Sequence, residues 1–517
     1  MTEAGIIGAD PAVRITVGGD TRTTGEELLL SVRETSASVR VAEVGATGLR
    51  GLEPLVLATL DGETAFLPRC SVERAQSAVE ALDDGSLPTG GAMAVVEHEP
   101  GIGRLPTPSD GPLAAGERTV LSACGWAMPT SVEDYRAVGA FVAPDVEAPD
   151  EATARLDEAG LRGRGRCDAA TDGAIADRWA TAREAEGDPA VVVNANEADP
   201  RATMDRLLLE SAPLAVLDAA LAAGYALDAT NVLVYCNEAD SLAHERASEA
   251  VAVLEDELDE PIPIEVLAGP DEYKAGETTM AIEALEGNHR LEARLRPPYP
   301  SEEGLHGRPT LVHTPRTLVQ VDEVLSKGDG DHDHDAAADR RTRLFTVHGD
   351  DVPSTTVELS ADDDLSAARE AVPFDDHLKA ACVGGVFGGL TRSLDVPARA
   401  NALSAAGLGT NGVIELFGDE QCMVAFAGDR AAFGETENCG RCVPCREGTK
   451  QLTEMLRDVY HGEYASEKLR ELMRVMTNTS ICSFGEDAPR PVRTAMNEFE
   501  PEFRAHADGR CPAGTCK

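Results

Sequence analysis

Aromatic residues and long apolar runs are both scarce in this chain. Phe, Trp and Tyr together supply 4% of its 517 residues. No uninterrupted apolar run reaches the ~18–20 residues that a bilayer span needs, so we expect no direct membrane insertion. The first residues also lack the basic segment and apolar segment of a signal peptide. These absences favour a cytoplasmic protein, either free or peripheral to a membrane complex.

Positive charge is also in short supply. The chain has 46 Lys and Arg against 91 Asp and Glu, a net charge of −45, and the carboxylates are spread along its whole length. A surface of this sign repels phosphate backbones, which excludes nucleic acid as a partner. Because concentrated salt screens such self-repulsion within about 3 Å, the composition favours a salt-accumulating, haloarchaeal source. An acidic mesophilic protein is the alternative.

The length and the apolar content predict several globular domains. A hydrophobic fraction of 42% can fill the cores of three or four domains of ~100–200 residues each. Strand-like segments VVVNAN, NVLVYC and IEVLAG are separated by helical stretches such as LLLESAPLAVLDAALAAGYA. This alternation predicts an α/β architecture.

The twelve cysteines fall into three groups. Without a signal peptide, metal ligation or buried thiols are favoured over disulfides. Cys511 and Cys516 cannot hold a cubane cluster alone, and we expect them in a frayed tail with exposed thiols or an accidental disulfide. Six isolated cysteines are expected to be small buried side chains: Cys70, Cys124, Cys167, Cys236, Cys382 and Cys422.

The remaining four cysteines form a metal-binding pattern. The segment ENCGRCVPCREGT spaces Cys439, Cys442 and Cys445 as C-x2-C-x2-C, and Cys482 follows in TSICSFGED. A tight cysteine-rich turn plus one distant cysteine can surround a four-iron cubane. Zinc is the alternative metal, although its usual pattern is two separated C-x2-C pairs. The spacing therefore predicts one 4Fe–4S cluster.

Two amphipathic helices are predicted around this motif. Apolar residues recur at helical spacing after the triad, in a run that Gly462 can terminate, and recur again from Ser466 onward. These two helices would bring Cys482 back to the first three cysteines. The apolar positions are Leu452, Met455, Leu456 and Val459 in the first helix and Leu469, Leu472, Met473 and Met476 in the second.

Several stretches resemble the NADH-binding flavoprotein subunit of respiratory complex I and its relatives in hydrogenases and formate dehydrogenases. The segments ENCGRCVPCREGT and ICSFGEDAPRPV are similar to that family's cluster motif. AGLRGRG, VVNANEADPRATMDR and GPDEYKAGETTMAIEALEGN are similar to its flavin-binding segments. The order of the segments agrees from about residue 118 to 508.

The resemblance implies a fold and a reaction. It implies a Rossmann-like domain in which NADH passes a hydride to FMN, and single electrons that leave through the 4Fe–4S cluster to partner redox subunits or a quinone-reducing complex. The chain would thus be a subunit of an NADH:acceptor (quinone) oxidoreductase. The implied domains are a degenerate, clusterless thioredoxin-like domain (1–100), an FMN/NADH-binding-like α/β domain (118–325), a β-grasp SLBB-like domain (340–415), a helical 4Fe–4S domain (420–508) and a tail (509–517).

The implied flavin site contains an altered loop. After Gly165 the sequence reads Arg166-Cys167-Asp168, with about four residues inserted, where the family loop is dense in glycine. A carboxylate of Asp168 or Asp172 would repel a phosphate by ~1 kcal/mol or more if partly desolvated. The cofactor-binding residues that the resemblance implies are Gly163, Arg164, Gly165, Arg178, Asn194, Glu197, Tyr273, Gly276 and Glu277.

Two hypotheses follow from these features. The first is an FMN-dependent NADH oxidoreductase subunit, and a cluster of arginines at 162, 164, 166 and 178 favours an anionic ligand there. The second is an electron-transfer or scaffold subunit that kept the cluster and lost flavin or NADH binding. No pattern identifies a catalytic acid, base or nucleophile. The Asp- and His-rich run at 331–335 is expected to be a solvated linker.

Overall fold

Three β-sheets and a C-terminal group of helices follow one another along the chain. This computed structural model describes residues 4–139, 141–143, 149–327, 341–349, 352–374 and 377–516. The Asp- and His-rich run at 331–335 lies outside the described residues.

The first sheet has the strand order β2-β1-β3-β4-β5. Its first two strands run parallel, which requires a crossover, and α1 supplies it. The other neighbours are antiparallel. The apolar faces of α1 and α2 pack on this sheet, because Leu28, Val32, Ala75 and Val79 share one buried cluster with strand residues such as Val13. The elements are β1 (Ala12–Val17), α1 (Arg22–Thr35), β2 (Arg40–Gly45), β3 (Val56–Leu60), β4 (Glu63–Leu67), α2 (Val72–Asp83) and β5 (Ala94–Glu97).

The second sheet is wholly parallel, with the order β8-β7-β6-β9. Helices cover it, which explains why β6 and β7 read as nearly continuous apolar runs. The three predicted strands are confirmed. The elements are α3 (Val132–Val138), α4 (Pro149–Glu158), α5 (Ile175–Glu184), β6 (Ala190–Ala195), α6 (Met204–Ser211), α7 (Pro213–Leu227), β7 (Asn231–Asn237), α8 (Ser241–Glu257), β8 (Ile264–Gly269), α9 (Thr278–Leu285), β9 (Thr310–His313) and α10 (Pro315–Lys327).

The long helical stretch predicted before β7 is two helices, α6 and α7. Pro213 begins α7, and Ala212 before it has φ −141° and ψ 47°, outside the helical region. A proline disfavours the helical conformation of the preceding residue, so the chain turns here. Within the described residues no single helix is long and apolar enough to cross a membrane, and α6 with α7 passes that test only as a pair bent by 99°.

The third sheet mixes parallel and antiparallel strands in the order β11-β10-β14-β12-β13, with β10 and β14 parallel. Glu358 of β11 fastens it to the segment before α3, because its buried carboxylate accepts hydrogen bonds from the amides of Val120 and Leu121. The elements are β10 (Arg343–Gly349), β11 (Val352–Leu359), α11 (Ser366–Arg369), β12 (Ala380–Val383), β13 (Gly389–Thr391), α12 (Ala400–Ala405) and β14 (Val413–Phe417).

Six helices form the C-terminal part of the described chain. Both helices predicted around the cysteine motif are confirmed as α14 and α15, and Gly462 follows the first with φ +91°. Their facing residues Leu452, Leu456, Leu469 and Met473 are buried in one cluster. The helices are α13 (Met423–Glu437), α14 (Val443–Val459), α15 (Ser466–Thr479), α16 (Ser483–Asp487), α17 (Arg490–Glu498) and α18 (Glu500–Ala507).

Candidate functional site

The four cysteines of the motif lie at the ends of helices. Cys439 follows α13, Cys442 precedes α14, Cys445 lies in its first turn, and Cys482 precedes α16. Burial raises the pKa of the Cys445 thiol, and the nearby charges of the other three sulfurs raise it further. Four thiolates in one apolar place repel one another, and bound iron would offset that repulsion.

A glycine allows α16 to approach α14. A Cβ on Gly485 would lie 2.9 Å from the Cβ of Cys445 and 2.3 Å from the hydroxyl oxygen of Ser480. Both distances are shorter than van der Waals contact, so a side chain here would separate Cys482 from the first three cysteines. The glycine of the SFGED segment thus has a packing role at the motif.

A cleft of about 610 Å³ lies beside the motif. One wall consists of Ser480, Ile481 and Ser483, which flank Cys482, and another is formed by the loop that follows Gly165. This volume lies within the ~300–1,000 Å³ range of small-molecule sites. The lining contains four guanidinium groups and four carboxylates: Arg166, Arg178, Arg296 and Arg490, and Asp168, Glu277, Glu486 and Asp487.

Three of the predicted cofactor-binding residues line this cleft. The guanidinium of Arg178 lies 4.4 Å over the ring of Tyr299, and that of Arg166 lies 3.7 Å over the ring of Tyr273. The carboxylate of Glu277 caps α9 by accepting the amides of Thr279 and Met280. Arg178, Tyr273 and Glu277 therefore line the cleft, and each side chain already contacts another part of the protein.

Other predicted residues hold the loop against the strand ends. The side-chain amide of Asn194 donates to the carbonyls of Cys167, at 2.9 Å, and Gly276, at 3.0 Å. Gly165 has φ +82°, and a Cβ there would lie 2.4 Å from a guanidinium nitrogen of Arg316. Burial raises the pKa of the Cys167 thiol to about 12, so this cysteine stays protonated at neutral pH.

Glu197 belongs to a buried ionic group behind the cleft. Arg316 Nη2 lies 2.8 Å from Glu197 Oε1 and 2.7 Å from Asp205 Oδ2. Burial, followed by the charge of Asp205, raises the pKa of Glu197, and the charge of Arg316 opposes that shift. Because one guanidinium serves two carboxylates without contact to the cleft, this group fixes β6, α6 and α10 together.

Gly163 and Arg164 hold the loop that follows Gly165 through contacts with Asp168 and with the start of α10. A Cβ on Gly163 would lie 2.4 Å from a carboxylate oxygen of Asp168. The amide of Arg164 donates to the hydroxyl of Thr317, and its carbonyl accepts the hydroxyl of Thr314. Both residues thus bring Asp168 to the start of α10.

The carboxylate of Asp168 occupies the N-terminus of α10. It accepts hydrogen bonds from the Thr314 amide at 3.2 Å, the Thr317 hydroxyl at 2.7 Å and His313 Nδ1 at 3.0 Å. The indole of Trp179 donates to His313 Nε2, so the ring proton is on Nδ1. A helix N-terminus is where proteins hold anions such as phosphate.

The position of the Asp168 carboxylate decides whether the phosphate of FMN can bind at the start of α10. The phosphate of FMN does not fit at the start of α10 with the loop in this conformation, because Asp168 already satisfies the donors there. The other positive charges of the cleft are its four guanidinium groups, and those of Arg296 and Arg490 pair with the carboxylates of Glu277 and Asp487. Sequence reasoning missed Arg296, Arg316 and Arg490, since they come from segments distant from the glycine loop.

Comparisons with known proteins identify the family. Residues 156–323 match the family described as the Nuo51 FMN-binding domain, and residues 425–506 match the NADH-ubiquinone oxidoreductase-F iron-sulfur binding region. The NADP-reducing hydrogenase subunit HndC of Solidesulfovibrio fructosivorans is 30% identical over 422 residues, which cover 76% of this chain and 84% of HndC. The chain belongs to the family of NADH-binding flavoprotein subunits.

Further relatives agree with this assignment of the flavoprotein subunit. An NADH-quinone oxidoreductase subunit of Streptomyces coelicolor is 29% identical over 394 residues, covering 72% of this chain and 86% of the relative. A subunit of the same name in Aquifex aeolicus is 28% identical over 401 residues, covering 73% and 91%. The crystal structure of an NAD+-reducing [NiFe]-hydrogenase in its H2-reduced state has a TM-score of 0.64 and 24% identity, covering 96% of this chain and 84% of that chain. This last likeness shows the mixed α/β fold.

The two matched regions define the class of the flavoprotein subunit. It combines an FMN-binding domain with a 4Fe–4S-binding region, and it is an NADH dehydrogenase-type iron–sulfur flavoprotein that passes electrons to partners.

Proposed function

We propose that this chain oxidises NADH in the cleft beside the cysteine motif and passes the electrons through a 4Fe–4S cluster bound by Cys439, Cys442, Cys445 and Cys482. The observation that carries the proposal is the shared wall: residues that flank Cys482 line the same cleft as the arginines. An electron acceptor bound there would lie next to the cluster. The electrons would continue to other redox subunits, as the names of the relatives suggest.

The cleft residues would bind anionic nucleotides. Guanidinium groups make paired, charge-assisted hydrogen bonds to phosphate, and four of them line this cleft. The ring of Tyr299 is 37% exposed and has Arg178 over one face, and it offers a flat apolar surface for a planar ring. When bound, FMN accepts two electrons as a hydride and releases them singly. The chain itself positions the ligands and provides the short route to the cluster.

The remaining predicted cofactor-binding residues would act indirectly. Asn194 and Gly276 fasten the loop that carries Arg166, and Glu197 fixes the strand end beneath it. We propose that Gly163, Arg164 and Gly165 hold the backbone of that loop rather than a nucleotide.

We also propose the domain division that the sequence suggests, with boundaries at 1–100, 118–325, 340–415 and 420–508, followed by the tail. Support comes from the separate buried clusters of the first and third sheets. The buried cluster of the helical part also includes residues of the third sheet, such as Cys382 and Phe417, so that boundary rests on the sequence. The parallel β1-α1-β2 crossover next to an antiparallel hairpin supports a thioredoxin-like first domain.

A second candidate function is an electron-transfer or scaffold subunit without flavin. Asp168 favours it, because its carboxylate occupies the helix end that would otherwise receive a phosphate. In that case the cleft would hold no redox cofactor, and the cluster would exchange electrons only with partner proteins.

The two candidates differ in their response to NADH. Anaerobic addition of NADH to the purified chain should bleach the visible absorption and produce the EPR signal of a reduced cluster if the first is correct. Dithionite would reduce the cluster in either case, so a cluster that responds to dithionite and not to NADH supports the second candidate.

A pair of variants tests the role of the cleft. Arg178→Met removes a cleft guanidinium and should raise the KM for NADH by about tenfold or more, since a charge-assisted hydrogen bond contributes ~1.5–3 kcal/mol. Arg183→Met changes the same helix at an arginine that pairs with Asp150 at the surface, and should leave KM unchanged. Equal effects of the two variants would contradict nucleotide binding in this cleft.

A further inference from the structure

Three consecutive residues, Arg166, Cys167 and Asp168, lie between the cleft and the second sheet, and this segment is called the strap below. Its first side chain lies over the ring of Tyr273, its second is a buried thiol, and its third is the carboxylate at the start of α10. Arg166 and Asp168 also line the cleft. The strap therefore separates the cleft from the helix end and from the strand ends beneath it.

The thiol of Cys167 fills the space beside Gly276. A Cβ at Gly276 would lie 2.9 Å from the sulfur, and the thiol donates to the carbonyl oxygen of Asn196 at 3.6 Å. Only 1% of Cys167 is exposed. Another group could enter this space only if the strap moved.

The seated strap leaves one buried acceptor unsatisfied. Asn194 is fully buried at the end of β6, and its amide nitrogen donates to the carbonyls of Cys167 and Gly276. Within the part of the chain that the structure describes, its Oδ1 accepts no hydrogen bond. A buried acceptor without a donor costs free energy. The strap is thus stabilised at Asp168 and penalised at Asn194, which favours a second position of this segment.

The strap lies at the tip of a loop whose base is closed. The amide of Gly163 donates to the carbonyl of Gly173 at 3.1 Å, and the amide of Asp172 donates to the carbonyl of Gly163 at 3.0 Å. Gly165 directly precedes the strap and has φ +82°, so it can absorb a change of backbone direction. The strap can therefore leave its seat while the base of the loop stays closed.

We propose that the strap is an autoinhibitory segment that leaves its seat when FMN binds. This inference rests on the proposed function, because it concerns the loading of the same site. In the seated state the Asp168 carboxylate takes the donors at the start of α10. In the released state those donors and the Asn194 Oδ1 become available to a ligand. The apparent affinity for FMN is then reduced in proportion to the fraction of molecules with a released strap.

The thiol of Cys167 reports the position of the strap. The unmodified full chain, purified anaerobically, is treated with iodoacetamide with and without excess FMN, and mass spectrometry measures the labelling of each cysteine. Quenching of flavin fluorescence measures FMN binding in parallel. Bound FMN should speed the labelling of Cys167 about tenfold or more. Cys236 of β7, which is equally buried, is the internal control and should not change. FMN that binds while Cys167 stays protected would overturn the strap and leave the proposed function intact.

Variants separate the strap from the flavin chemistry. Asp168→Ala removes the carboxylate that seats the strap and should speed the labelling of Cys167 about tenfold or more without FMN. Asp168→Asn keeps the shape of the side chain and should act in the same direction if the first variant does not fold. Asp177→Ala, at an exposed position of α5, should label like the unmodified chain. Slow labelling in both Asp168 variants would overturn the proposal. FMN binding by these variants alone would support the strap and contradict NADH oxidation by the unmodified chain.

Discussion

At the scale of single residues, the altered glycine loop is explained by the contacts of Asp168. Its carboxylate receives three hydrogen bonds at the start of α10, and two of the donors, Thr314 and Thr317, belong to the helix end itself. The chain thereby stabilises a loop that lacks the usual glycines. As a result, the donors at the start of α10 bind the Asp168 carboxylate and are not free to bind a phosphate.

Asp168→Ala should therefore strengthen FMN binding. The change frees the Thr314 amide and the Thr317 hydroxyl and removes a repulsion of ~1 kcal/mol or more, so we expect the Kd for FMN to fall about fivefold or more. Quenching of flavin fluorescence on titration measures it. Asp177→Ala removes an exposed carboxylate from the same region and should have little effect. Unchanged or weaker FMN binding by Asp168→Ala would mean that the phosphate never occupies this helix end.

Single residues also show what the sequence could predict. The four motif cysteines follow from spacing alone, because a tight turn and one return segment suffice to bring them together. The partners of Asp168 lie about 145 to 149 positions away in the chain, and no local pattern announces such contacts. Separation along the chain also prevents a prediction that Arg490 lines the cleft or that Cys422 contacts His506.

At the scale of elements, the approach of α16 to α14 shapes the cysteine motif. Sequence periodicity predicted α14 and α15 correctly because both bury one apolar stripe. It missed the break between α6 and α7, where an apolar run continues across Pro213 and conceals the turn. Helical periodicity predicts which face of a helix is buried, whereas a proline such as Pro213 indicates where the direction of the helix axis changes.

Gly485→Ala should weaken the cluster site. The new Cβ would overlap Ser480 and approach Cys445, and overpacking of this kind destabilises by about 1–3 kcal/mol. We expect fewer iron and sulfide ions per chain, measured by chemical assay after anaerobic purification. Gly428→Ala is the control, because this helical glycine has open space around its Cβ position. A full iron content in Gly485→Ala would show that α16 can move without loss of the cluster.

The contact between α6 and the segment before α1 should contribute a stability that depends on pH. Glu210 of α6 accepts the amide of Gly19, before α1, at 3.0 Å, and burial raises its pKa from 4.5 to about 7. The folded chain thus binds this proton more tightly than the unfolded chain. The associated stability is present below pH 4.5 and is lost as the pH rises past about 7.

Glu210→Gln removes this titration. The variant should be more stable than the unmodified chain at pH 8, by up to about 3 kcal/mol, and nearly equal to it at about pH 5. Thermal melting at the two pH values measures the difference. Glu255→Gln, at an exposed position of α8, should melt like the unmodified chain at both. A loss of stability at pH 8 would show that the charge of Glu210 is needed.

At the scale of the whole molecule, the cleft is made jointly by the second sheet, the third sheet and the helical part. Arg166, Asn411 and Arg490 come from these three regions in turn and line the same space. The fold class could be predicted from alternation of strands and helices within one region. The cleft could not, because it exists only where the regions meet.

The net charge of −45 should make the stability of the molecule depend on salt. We expect the melting temperature to rise as KCl increases from about 0.2 M to about 2 M, because the screening length falls and the self-repulsion weakens. Sucrose, which carries no charge, serves as the control. A melting temperature that is flat or falling in KCl would contradict adaptation to high salt.

The most direct test of the central claim is to measure FMN, iron and sulfide in the same anaerobic, high-salt preparation. Acid precipitation releases the flavin into the supernatant, and the metal and sulfide are assayed in parallel. An NADH-oxidising iron–sulfur flavoprotein should contain about one FMN, four irons and four sulfides per chain. Iron and sulfide without FMN would contradict NADH oxidation by this chain and leave an electron-transfer subunit.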